Sequence, residues 1–429
     1  MNLSSIDLTL DNRWLRTLII MFFAQLMTAV GFSSIFPFLP LYVESLGTST
    51  NLSIEFLAGL VYSAQAFTMM LASPIWGALA DRYGRKLMVE RSMFGGSLII
   101  LLMAFVTSAE QLVFLRAIQG AITGTIAAAN ALIASIVPRQ RTGFAMGSLQ
   151  VGLGAGVAVG PLIGGLIADS YGYSFTFFIT AALLFISGLT VFFGVHEQFI
   201  PQEGLKLGWR SFMTGWRAIL STAGVSVTYG MRFVSGLGRM IIIPVAPLFI
   251  QLLLPGSERV NTVTGLVVGS AAATTTISAV FLGVLGDRVG HRRILIGCAF
   301  VAALLYLPQS MVTDAWQLLL LQALVGVAIG GIIPSISALL SRYAQSGEAG
   351  AVYGLDNSIN AAARAAAPLM GAAVAYWFSL RATFIATALL FLAMAILALW
   401  RLPKPKVGRS QWRSEGTPEP PVYSNHHTR

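Results

Sequence analysis

The sequence predicts an all-α membrane protein with twelve transmembrane helices in two six-helix parallel repeats. Three observations carry that expectation. Apolar runs of about 18 residues or more recur along the whole chain, the length a helix needs to cross a bilayer. Lysine and arginine gather in alternate connections, and motifs of the first half return in the second at a nearly constant spacing. Composition agrees: of 429 residues, 56% are hydrophobic and 10% charged, with a mean hydropathy of +0.76. A soluble domain carries about 25% charged residues, and a large soluble core would need polar helix faces that this chain lacks.

The first apolar run, Trp14 to Val43, is too long for the apolar segment of a signal peptide. No small-residue cleavage pattern follows it, so it is read as a retained span over 15–43. Charges and turn residues then set off 54–79, 88–107, 111–136, 143–168 and 174–194. A stretch of 28 residues, VHEQFIPQEGLKLGWRSFMTGWRAILST, precedes the second set: 223–251, 261–285, 293–312, 316–341, 350–377 and 381–400. The last stretch, PKPKVGRSQWRSEGTPEPPVYSNHHTR, is rich in proline, polar and charged residues and reads as a disordered tail. The expected organisation is an N-terminal six-helix bundle over 1–195, a cytoplasmic linker over 196–221, a C-terminal six-helix bundle over 222–402 and a tail over 403–429.

An even number of spans puts both termini on one side. The N-terminus, the even-to-odd loops and the tail hold 21 of the 27 lysines and arginines, whereas the opposite loops hold two, Arg259 and Arg381. Basic loops stay inside, so both termini are expected to be cytoplasmic. The net charge of +10 then marks membrane orientation and implies no nucleic acid. A single cysteine, Cys298, excludes an intramolecular disulfide, and His196, His291, His426 and His427 lack metal-ligand spacing. No cofactor or metal is expected. Neither a Ser/His/Asp or Cys/His constellation nor a Walker motif is visible, which argues against an enzyme.

The repeat is read from three motifs. GALADRYGRKLMV at 77–89 aligns with GVLGDRVGHRRIL at 283–295, an offset of 206 that pairs Asp81 with Asp287 and Gly84 with Gly290. The same offset pairs Gly120 and Gly124 with Gly326 and Gly330, and one residue more pairs Pro161 and Gly164 with Pro368 and Gly371. Six spans repeated in one orientation form a parallel repeat, related by an axis along the membrane normal. Substrate sites in such folds lie between the halves near the midplane, which points to a transporter working by alternating access.

These stretches resemble the major facilitator superfamily, and within it the twelve-span drug:proton antiporters, over about residues 14–400. GALADRYGRK is similar to the family's loop motif between spans two and three, LVFLRAIQG to its fourth-span motif, GAGVAVGPLIGG to its fifth-span antiporter motif, and GFSSIFPFLPLYVESLG to its first-span pattern. The resemblance implies proton-coupled multidrug efflux by a monomer, with a small amphipathic substrate, protons and the lipid bilayer as partners. It also implies gating by Gly77, Asp81, Arg82, Gly84, Arg85 and Arg91. Asp81 would sit against the N-terminal end of span eleven, in a charge relay with Arg91 and Asp356. His291 stands where the first copy has an arginine, so the second latch is expected to be weaker. The resemblance assigns Arg116 to proton coupling and Gly156, Gly160, Pro161, Gly164 and Gly165 to the antiporter hinge. Those glycines fall at small-xxx-small spacing, which by itself favours tight helix packing.

Four arginines, Arg116, Arg232, Arg239 and Arg364, fall within spans. Each embedded charge costs roughly 2.5–3.5 kcal/mol on insertion scales, so each is a functional candidate by default. Arg232 and Arg239 are seven residues apart, on one helix face. With Arg364, Asn130 and Asn360 they are the candidate substrate contacts. Arg232 and Arg239 could instead pair with lipid phosphate or Asp356, and Arg116 could snorkel to the interface. Four arginines against one embedded aspartate favour neutral or anionic amphiphiles. The alternatives are a lipid or glycolipid flippase of the same fold, or a membrane receptor without transport.

Overall fold

The computed structural model describes residues 8–138, 141–197, 199, 225–343 and 349–402. Side chains are described for all of these except 8–13, Pro74, Ala78, Asp81, Thr125, Ala127, 341–343 and 349–354. Most of the expected linker (196–221) and the whole of the expected tail (403–429) lie outside the described residues.

Among the described residues every regular element is an α-helix, and fifteen of them make twelve spans. Span one is α1 (Leu8–Ser34) and α2 (Leu39–Leu46), followed by α3 (Ile54–Tyr83) and α4 (Arg85–Met103). Span four is α5 (Ala109–Ile122) and α6 (Thr125–Ile136), and the first half closes with α7 (Thr142–Tyr171) and α8 (Tyr173–Gly194). Span seven is α9 (Val225–Met240) and α10 (Ala246–Leu253). Then come α11 (Val260–Val289), α12 (His291–Gln309), α13 (Ala315–Tyr343), α14 (Ala349–Trp377) and α15 (Leu380–Arg401). Eight of these helices are long and apolar enough to cross a membrane unaided.

Three spans are broken, and the breaks have physical causes. Proline cannot extend a helix's hydrogen-bond ladder, and Pro37 and Pro40 follow the end of α1. In hydrocarbon a freed carbonyl must find another donor, and the Tyr62 hydroxyl donates to Phe36 O at 2.9 Å. Span seven breaks at the equivalent place, beside Pro244 and Pro247. Span four breaks at Gly124, whose φ of 159° is closed to most side chains. There Trp76 Nε1 donates to Ala121 O at 2.6 Å and Arg91 Nη1 donates to Ile122 O.

The two halves repeat one packing scheme. Span one packs on five and six, two on four and three on six; seven packs on eleven and twelve, eight on ten and nine on twelve. Between the halves, α7 lies along α11, α3 along α14, and α2 touches α10. Glycines set these distances. A Cβ on Gly265 would strike the Pro161 carbonyl, and one on Gly165 would strike the Asn261 carbonyl. Across the other seam, a Cβ on Gly59 would come within 2.8 Å of Pro368 O. The close approaches between halves among the described glycines run from mid-span (Gly154 on Thr276) to the ends farthest from the chain termini, here called the distal face. Towards the terminal side, a Cβ on Gly77, Gly143 or Gly147 would meet open space.

Gly265→Ala is therefore expected to cost about 1–3 kcal/mol through overpacking, read as a lower melting temperature of the detergent-purified protein. Gly230→Ala, where a Cβ meets nothing within 4 Å, should leave that temperature unchanged or raised.

Candidate functional site

The loop motif between spans two and three is built at a tight turn. Gly84, with φ 101°, ends α3 and begins α4. The new helix opens with unpaired N–H groups, and these attract a carboxylate. Glu197, beyond the end of α8, supplies it, accepting from the backbone N–H of Arg85 at 3.1 Å and of Lys86 at 2.8 Å. Lys86 in turn ion-pairs with Glu90 at 3.4 Å. The motif is thus held by its own half. Gly77 faces open space and Arg82 is exposed, its guanidinium 5.5 Å from the Tyr83 ring. Asp81 lies on α3, its side chain outside those described. The Arg91 guanidinium stacks 3.5 Å over Trp76 while serving the carbonyl at the end of α5, where a cation complements the helix dipole.

The embedded charges lie on α5, α9 and α14. Arg116 is 2% exposed and does not snorkel to the interface. Its Nε donates to Val61 O at 3.3 Å and its Nη1 to Gln119 Oε1 at 2.8 Å, leaving Nη2 buried without a hydrogen-bond partner. In the other half Arg232 Nη2 meets Asp356 Oδ2 at 2.7 Å, joining α9 to α14. Arg232 Nε and Asp356 Oδ1 are both buried and unpaired. Asp356 is the one buried carboxylate among the described side chains. Arg91 and Asp356 are thus engaged separately here, each within its own half.

Arg239 donates from Nε to Ser235 O at 3.3 Å and has Arg232, Arg364 and Tyr306 as electrostatic neighbours. Arg364 is felt by Arg116 across the boundary between the halves. It lies deep among the helices yet its side chain is solvent-exposed, so it stands on the wall of a crevice between them. Asn360, on α14, has Oδ1 3.8 Å from where a Cβ on Gly236 would stand, and Asn130 is half-buried on α6. The arrangement is a run of four guanidiniums with one buried counter-charge among the described side chains.

The fifth-span glycines face two ways. Gly156, Gly160 and Gly164 bring α7 onto α1, where a Cβ would meet Leu26 O, Ser33 Oγ and Ser34 O respectively. Ser33 Oγ donates back to Gly156 O at 3.0 Å. Gly165 and the Pro161 carbonyl instead receive α11 of the other half. One helix thus carries both an internal contact and half of the interface.

Two six-span bundles with charged side chains at a crevice between them fit a membrane transporter. The Major Facilitator Superfamily profile matches residues 21–231 and 228–425, and the chain belongs to that family. It is 37% identical over 391 residues to a Serratia proteamaculans protein named Multidrug resistance protein MdtG, covering 91% of this chain and 95% of the relative. The Salmonella typhimurium protein of the same name is 36% identical over 387 residues, covering 89% and 94%. Among solved structures, the human organic anion transporter MFSD10 (TETRAN) superposes with a TM-score of 0.65 at 20% identity, over 90% of this chain and 99% of that one. A bacterial homologue of the lysosomal transporter Spinster, inward-facing and unoccupied, gives 0.73 at 14% identity over 90% and 96%. These likenesses establish the fold.

Sequence reasoning missed Glu197 and Asp169, both of which act on helix starts about a hundred positions away. The pair at the centre yields a stability prediction. Arg232→Ala strands a buried carboxylate and should cost about 3–5 kcal/mol. The double variant Arg232→Met with Asp356→Leu should be less destabilised than Arg232→Ala alone, as read by thermal unfolding in detergent.

Proposed function

We propose that the protein exports small amphipathic compounds, neutral or anionic, by proton-coupled alternating access. It would do so as a monomer in an inner membrane of bacterial type, with both termini on the cytoplasmic side. The observation that carries this reading is the run of Arg116, Arg364, Arg239 and Arg232, with one buried carboxylate among the described side chains, Asp356, paired to Arg232. A guanidinium is always charged and binds carboxylate, sulfonate or phosphate groups through a planar fork. Four of them along one crevice repel a cation and favour an anion or a polar neutral group. The names of the relatives, multidrug resistance proteins, support export of small compounds.

In this reading Arg232, Arg239 and Arg364, with Asn130 and Asn360, contact the substrate, and Arg116 couples substrate to proton through its charge. The bundles 1–195 and 222–402 rock about the crevice. Gly77, Asp81, Arg82, Gly84, Arg85 and Arg91 close the cytoplasmic side, with Asp356 as the acid of span eleven. Gly156, Gly160, Pro161, Gly164 and Gly165 keep the seam tight while it moves. The distal face is then the outer face, and the conformation described is closed outside.

The test is collapse of an imposed pH gradient in proteoliposomes on adding, in turn, a lipophilic cation, a neutral amphiphile and an organic anion. Proton flux is expected with the neutral compound or the anion and should be lost in Asp81→Asn. Arg364→Ala should lower flux with the anion by about tenfold, the size of one charge-assisted hydrogen bond. Flux with the cation alone would contradict the substrate class. No flux with any of the three would contradict proton coupling and favour a lipid flippase.

A further inference from the structure

The distal seam holds a polar contact that the transport reading leaves unused. Helix α11 begins at Val260, and its N-cap residue, Arg259, offers no side-chain acceptor to the first turn. The cap comes instead from the other half. Asp169, near the end of α7, accepts from the backbone N–H of Asn261 at 3.2 Å and of Thr262 at 2.7 Å. It also accepts from Asn261 Nδ2 at 2.7 Å and from the Thr262 hydroxyl at 2.6 Å. Both carboxylate oxygens are used. The counterpart helix in the first half, α3, needs no such help, because Ser53 caps it locally by accepting from Phe56 N–H.

A carboxylate at a helix N-terminus gains from the helix dipole and from charge-assisted hydrogen bonds. Here both gains exist only while the two halves touch at the distal face. Directly beneath, Gly165 and Gly265 bring the backbones of α7 and α11 together, so a small separation breaks all four bonds at once. A cavity of about 420 Å³ borders the contact, lined among others by Glu44, Tyr173 and Glu258. Water can therefore take over the freed groups when the bonds part. The contact is strong enough to hold a conformation and placed where it can be exchanged for solvent.

We propose that Asp169 is the distal gate of the transport cycle: capping α11 in trans holds the distal face shut, and release of that cap is the step that opens it. The inference rests on the alternating-access reading. It gives the cycle two carboxylates of like chemistry at opposite faces, since Asp81 is expected to meet the start of span eleven when the other side closes. Asp169 is a positioning residue in this account and need not touch the substrate.

The test uses the full-length protein in lipid nanodiscs, in a Cys298→Ser background, with spin labels at Asn51→Cys and Pro255→Cys, exposed positions in distal loops of the two halves. Pulsed dipolar spectroscopy reads the distance between them. Asp169→Ala should raise the share of the longer, distally open distance about tenfold. Asp169→Asn, which keeps the volume if the alanine variant folds poorly, should move it in the same direction. Glu258→Gln, in the same cavity but outside the four bonds, should leave the distribution unchanged. An unchanged distribution in both Asp169 variants would overturn the proposal, as would an equal shift in Glu258→Gln. The distances are read without substrate or proton gradient. A variant that opens in a protein that exports nothing would therefore contradict the export reading and keep the gate, and intact export with unmoved distances would do the reverse.

Discussion

The fold depends on how closely the α7 backbone approaches two other backbones at once. Lipid gives helices no hydrophobic reason to associate, so association relies on close van der Waals contact and on small residues that permit it. On one face of α7, Gly156, Gly160 and Gly164 admit α1; on another, Gly165 and the Pro161 carbonyl admit α11. The first contact belongs within a half and the second between halves. Any shift of the interface therefore acts through α7 on α1 as well. A side chain larger than hydrogen at these positions would separate the helices by more than the packing tolerates.

Within that frame the buried charges set the chemistry. Arg91 is absorbed by structure, since its guanidinium answers the carbonyl freed by the break in span four. Arg232 is half absorbed, by Asp356. Arg116, Arg239 and Arg364 retain capacity: they act on one another, and Arg116 Nη2 has no hydrogen-bond partner. Cations that repel each other gain from any anion that enters. The electrostatic asymmetry of the crevice follows from these side chains and from no feature of the fold.

Much of this was legible in the sequence, because the signals are local or periodic. Apolar runs mark the spans, and the repeated GALADR and GVLGDR stretches mark the internal symmetry. The small-residue spacing of the fifth span announced tight packing but not that it serves two partners. The breaks in spans one, four and seven lay hidden inside single apolar runs. What permits the break in span four is a tryptophan and an arginine on two other helices. Glu197 and Asp169 were invisible for the same reason. A lone acid is uninformative until the tertiary fold brings a helix N-terminus to it, 112 residues away for Glu197 and 92 for Asp169.

The central claim is that the crevice is electropositive enough to select its ligand by charge. The most direct measurement is equilibrium binding to the purified protein of two amphiphiles identical except for the head group, one sulfonate and one trimethylammonium, at low ionic strength. The account predicts that the sulfonate binds at least about tenfold more tightly, the gain expected from one charge-assisted contact, and that Arg239→Ala narrows the difference. Equal or tighter binding of the trimethylammonium compound would contradict it.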